Sequence, residues 1–165
     1  MDHDRTLLSF QGMADWIEGL RDVDDEIWIK PTAIEKWSIA EILSHLMFWD
    51  RYLISDVLPS VVKGQEVSFP AFDSYNQKAA DYVRSGLSKT ELIEEAILVR
   101  DRLVLELLEM PADLRNKHVL VNGDAHCPRT AVPYTLSYLV HEFYEHDQHH
   151  KAQIEHFLNE LTQPK

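Results

Sequence analysis

Ser38-Ile39-Ala40-Glu41-Ile42-Leu43-Ser44-His45-Leu46-Met47-Phe48-Trp49 opens the stretch that decides the fold. Its first four residues fit a capping box. The Ser38 hydroxyl accepts from the Glu41 amide, and the Glu41 carboxylate reaches back to the Ser38 amide, so two of the donors left free at a helix start are satisfied together. Behind the box, Ile42, Leu46, Trp49 and Leu53 recur at three- and four-residue steps and make one apolar stripe. The pattern predicts a helix from Ser38 to about Leu58, ended by Pro59, whose ring and missing N–H disrupt a helix interior.

The same period recurs on both sides of this stretch. A first helix is predicted over about Asp4 to Leu20, with Leu7, Phe10, Ala14, Ile17 and Leu20 on one face. Lys63 to Pro70 reads as loop, and a short helix follows from Asp73 to Arg84, ending at Gly86. Ser88-Lys89-Thr90-Glu91 offers a second capping box, for a helix that runs to about Glu109 and stops at Pro111. Between Pro111 and Pro133 the chain is irregular, with a turn at Asn122-Gly123 and a short extended piece at His118 to Val121. A last helix is predicted from Tyr134 to Leu161. Four long helices and one short one make an all-α protein, a four-helix bundle forming a single domain over residues 1–165. Its connections exceed the length a minimal bundle needs, which leaves them free to cover one end and line a pocket.

Charge and composition narrow the function. Lys and Arg total 16 against 28 Asp and Glu, a net charge of −12. That balance argues against phosphate-backbone binding and against docking on an anionic membrane surface. One cysteine, Cys127, excludes an internal disulfide and suits a reducing cytoplasm. No stretch reaches the roughly 18 apolar residues of a membrane span, and the N-terminus lacks a signal-peptide pattern.

Nine histidines stand out. His146 and His150 lie four apart on the last helix, so their Cβ atoms share one face about 5–6 Å apart. Two imidazoles so placed can converge on one ion, but a site needs a third protein ligand. His45 is the best candidate, because a histidine within the apolar run Ile42 to Phe48 is costly to bury unless its nitrogens find partners. His149 competes with His150 for the register. Glu142, one turn before His146, is a candidate further ligand or hydrogen-bond acceptor, and Gln153 is placed to orient His150. His141, Glu145 and His149 form a more solvated ladder. The zincin pattern fails because His141-Glu142 is followed by Glu145 where a histidine is required. The di-iron pattern fails for want of Glu-x-x-His elements, Asp147-x-x-His150 being a lone near miss. No catalytic base is assigned; Glu142 is the nearest guess, ahead of Tyr144, Arg129 and Asp147. Cys127 reads as incidental, Arg129 as a surface charge, and Trp16, Trp28, Trp37 and Trp49 as core.

Two segments resemble a known family. Lys36-Trp37-Ser38-Ile39-Ala40-Glu41-Ile42-Leu43-Ser44-His45-Leu46 is similar to the first signature of the DinB/YfiT-like superfamily. His146-Asp147-Gln148-His149-His150-Lys151-Ala152-Gln153-Ile154 is similar to the second, which commonly ends His-Arg-Gly-Gln; Lys151-Ala152 departs from its Arg-Gly. The resemblance implies a homodimeric four-helix bundle with a divalent metal ion (Zn or Ni, with Fe as an alternative) on His45, His146 and His150. It further implies an enzyme for small molecules, foremost a transferase of low-molecular-weight thiols. A hydrolase that activates water is the alternative, as is a non-enzymatic stress-related dimer whose metal is structural or absent.

Overall fold

The computed structural model describes residues 3–163. Its helices are α1 (His3–Glu18), α2 (Asp25–Trp28), α3 (Ile39–Tyr52), α4 (Leu58–Lys63), α5 (Phe72–Val83), α6 (Lys89–Glu109), α7 (Ala112–Arg115) and α8 (Leu136–Thr162). Helix α6 packs against α1 and α3, and α8 packs against the same two, so the long helices close a ring in the order α1, α6, α3, α8. Helix α5 lies outside this ring against α3. The predicted four-helix bundle is therefore present, with its short extra helix and long connections. Both capping boxes form, at Ser38 with Glu41 and at Ser88 with Glu91. Among the described residues, extended backbone makes only isolated bridges, one of which pairs Val67 with Val121. No described helix is long and apolar enough to cross a membrane.

Pro59 does not end the second long helix. A π turn over Leu53–Val57 carries α3 into α4, and Pro59 sits in the first turn of α4. The wider π turn relieves the clash between a proline ring and the preceding turn. The Ser60 hydroxyl donates to the Asp56 carbonyl at 2.8 Å, so that acceptor is satisfied inside the distortion. Gly64, at φ 66°, then closes α4 in the left-handed conformation that glycine adopts without steric cost. The last helix begins at Leu136 rather than Tyr134, because the Thr135 hydroxyl accepts from the Tyr138 amide at 3.0 Å and fixes the start there. The one-turn helix α7 occupies a segment expected to be irregular, and another, α2, lies between α1 and α3.

The core is divided in two. One half gathers Phe10, Leu53, Val57, Leu103, Leu107 and Val140; the other gathers Met13, Ile42, Leu46, Ala96, Ile154 and Phe157. Between them in sequence on three of the long helices lie Asp50, Arg100 and Asp147, exposed by only 4%, 1% and 2%. Arg100 Nε and Nη2 donate to the two oxygens of Asp50 at 2.7 and 3.0 Å. Its Nη1 and Nη2 donate to those of Asp147 at 2.8 and 3.2 Å. Nη1 also reaches the Phe10 carbonyl at 3.1 Å, so one guanidinium ties together all four long helices. Fork-to-fork geometry of this kind fixes register as well as charge.

Candidate metal centre

The histidine stripe of α8 faces α3. His45 presents Nε2 to Nε2 of His146 at 3.0 Å. One ring nitrogen from each of His45, His146 and His150 lies within 4.8 Å of the others. The ring centroids are 4.9 Å apart for His45 and His146, 5.0 Å for His45 and His150, and 4.7 Å for His146 and His150. His45 is buried, while His146 and His150 are half-buried. His149 stays exposed, and neither it nor Glu142 joins the group.

All three rings are held neutral. Burial lowers His45 to about 3 and His146 to about 4, in each case reinforced by a neighbouring histidine. His150 is lowered by the same burial, with the Gln153 hydrogen bond working the other way. A cluster that resists protonation keeps its lone pairs for another partner.

Hydrogen bonds fix which lone pair His150 offers. The Thr32 hydroxyl donates to the Trp37 carbonyl at 2.8 Å, so its oxygen is left to accept from Gln153 Nε2 at 3.3 Å. Gln153 therefore turns Oε1 to His150 Nδ1, at 3.0 Å. An amide oxygen only accepts, so Nδ1 carries the proton and Nε2 is free. The orienting role anticipated for Gln153 is present, and Thr32 extends it across 121 residues of chain. His45 is positioned by packing instead: the Trp37 ring lies 4.9 Å from it, and its Nδ1 is buried without a hydrogen-bond partner.

This donor set suits a divalent cation. Imidazole nitrogens at about 2.0–2.1 Å from one ion lie roughly 3 Å apart, the separation seen between His45 and His146. Without an ion, the same contact is satisfied when one ring donates to the other. No fourth His, Cys, Asp or Glu joins the three among the described residues, so the arrangement leaves a side open.

His45 and His146 line a cleft of about 580 Å³ between α3, α5, α8 and the long loop before α8. Trp49, Phe69, Phe72 and Phe143 wall it, so Trp49 serves the cleft as well as the core. Cys127, read as incidental, also lines it. Hydrogen bonds to Tyr138 and Thr130 bring its thiol down to about 6. That placement depends on how the loop folds back over α8, which local sequence does not encode.

Glu142 lines the mouth of the cleft and pairs with Arg129 at 2.5 Å. Arg129 is thus a surface charge with a partner, and Glu142 is engaged rather than free. Asp147 is not free to act as a base, since both its oxygens are bonded to buried Arg100. Asp50 and Arg100 were not foreseen as part of this region. The available signal was a charge set within an apolar stripe, Arg100 between Ala96 and Leu103.

No curated protein matches the chain by sequence. Among solved structures, it is similar to YfiT from Bacillus subtilis, a probable metal-dependent hydrolase with an unusual four-helix bundle topology. The TM-score is 0.72 over 98% of this chain and 89% of that one, at 11% identity, a likeness of fold. The family model of the DinB superfamily matches residues 11–154, and the chain belongs to the DinB superfamily.

Proposed function

We propose that the chain is a divalent-metal-dependent enzyme acting on a small molecule, with His45, His146 and His150 as the metal ligands. The observation that carries this reading is the meeting of three neutral imidazoles from α3 and α8 beside an aromatic cleft. A divalent cation held there supplies a Lewis acid that acidifies water or a thiol and polarises an oxygen of the substrate. The chain's own residues do the rest. Gln153 and Thr32 hold His150 in one tautomer, and the Arg100 cluster holds α3 and α8 in register. Trp49, Phe69, Phe72 and Phe143 give the cleft an aromatic wall for the apolar part of a substrate. Glu142, tied to Arg129, carries charge at the rim.

Hydrolysis is the reaction this reading favours, supported by the likeness in fold to YfiT. Transfer of a low-molecular-weight thiol uses the same three ligands and is the second reading, supported by the resemblance of the two signature segments. The chain acts as one domain, and as a homodimer, in a reducing compartment where Cys127 stays a thiol. Which of Zn, Ni or Fe it uses is not decided by imidazole ligands, which suit all three.

The test compares metal-loaded protein with His146→Ala on neutral esters and amides, and separately on a thiol with an electrophile. Turnover that needs the metal and disappears in His146→Ala supports the proposal. Turnover that survives chelation and the substitution contradicts it.

A further inference from the structure

Six aromatic rings line the cleft beside the histidines: Trp49, Phe69, Phe72, Tyr134, Tyr138 and Phe143. Trp49 lies 6.1, 5.6 and 6.0 Å from Phe69, Phe72 and Phe143, so several ring faces and edges converge on one space. Phe72 is 61% exposed although it belongs to this wall. An aromatic side chain left open at the edge of an aromatic cleft marks surface meant to be covered by a ligand.

The charges on the same walls all have one sign. Asp124 and Glu142 are the acidic groups that line the cleft, and no lysine or arginine lines it. Arg129 offsets Glu142 from an exposed position. No ion pair or side-chain hydrogen bond engages the Asp124 carboxylate among the described residues. Aromatic faces attract cations through their quadrupole, and an unpaired carboxylate adds to that attraction. Apart from an ion held by the histidines, an anionic ligand would meet no cationic side chain on these walls.

We propose that the aromatic cleft binds a small organic cation, an amine or quaternary ammonium group on an apolar body, and that this is the chemical class of the substrate. The second half of the statement rests on the reading of the three histidines as a catalytic metal site; the first half rests on the cleft alone.

The test uses three probes of matched shape on metal-free protein, followed by calorimetry: 2-naphthylmethylammonium, 2-naphthylmethanol and 2-naphthoate. Working without metal keeps a carboxylate from binding the ion itself. The ammonium probe is expected to bind about tenfold more tightly than the alcohol, and the carboxylate more weakly than either. Asp124 is exposed and its side chain makes no hydrogen bond, so Asp124→Asn folds normally and is expected to remove most of the preference for the cation. Phe72→Ala, also at an exposed position, is expected to weaken the ammonium probe several-fold. Equal or tighter binding of the carboxylate overturns the proposal, as does a preference unchanged in Asp124→Asn. Metal content is measured on the same preparations after loading. Cation selectivity in a chain that takes up no metal supports the cleft and removes the catalytic reading. Metal uptake without cation selectivity overturns the cleft and leaves the metal site standing.

Discussion

Arg100→Met is the substitution from which the structure predicts most. Methionine fills the apolar stem of arginine but removes the one cation between Asp50 and Asp147. Four charged hydrogen bonds, of 2.7, 3.0, 2.8 and 3.2 Å, are lost, and two buried carboxylates are left facing each other. Removing one partner of a buried ion pair costs about 3–5 kcal/mol. Against a total stability of about 5–15 kcal/mol this is a large share. For a chain of this size it lowers Tm by roughly 6–20 °C.

The direction with pH is also fixed. Burial already raises Asp50 to about 6, although Arg100 pulls the other way, and burial raises Asp147 too. A carboxylate whose folded pKa is raised favours the fold at low pH, and that contribution is lost as pH rises through the folded pKa. Without Arg100 both groups rise further, so the deficit of the variant is largest at pH 7.5 and narrows at pH 5.5. Urea denaturation of wild type and variant at the two pH values measures this. A triple variant, Arg100→Met with Asp50→Leu and Asp147→Leu, is expected to recover most of the loss, because a well-packed apolar replacement of a buried ion cluster is often neutral or stabilising. An Arg100→Met protein within about 1 kcal/mol of wild type at pH 7.5 would refute the reasoning, since an uncompensated buried charge cannot be that cheap.

Other outcomes follow from the same structure. Gln153→Ala frees His150 to rotate and change tautomer, and should weaken metal binding about 10–100-fold in a chelator competition without unfolding the chain. Cys127 should be alkylated by iodoacetamide with a rate that rises through about pH 6, because Tyr138 and Thr130 stabilise the thiolate. Tyr138→Phe should move that midpoint upward, and an unmoved midpoint would remove the hydroxyl's assigned role. Ser88→Ala breaks the capping box of α6, and by thermal melting should cost about 1 kcal/mol.

What was readable in the sequence was what is local. The capping boxes at Ser38 and Ser88 and the period-3.6 stripes are properties of neighbouring residues, and they located the long helices within a few positions. The meeting of His45 with His146 and His150 was legible for a related reason: two of the rings are one turn apart, and the third interrupts an apolar run. Pro59 misled because the penalty of proline assumes α-geometry, and the π turn at Leu53–Val57 changes that geometry. Arg100 was hidden because a single charge in a stripe looks like its edge. Its partners lie 50 and 47 residues away, and only the packed bundle brings them together. The roles of Thr32, Cys127 and Asp124 depend on loops folding back over α3 and α8, a tertiary event with no local signature.

Metal-dependent chemistry in this chain requires the three histidines to hold one ion. The direct measurement is elemental analysis of untagged protein after loading with divalent metal and removal of the excess, for wild type and for His45→Ala, His146→Ala and His150→Ala. One ion per wild-type chain, lost in each variant while the helical circular dichroism is kept, is the predicted result. A wild-type chain that retains no metal, or a His45→Ala protein that retains it fully, would contradict the account.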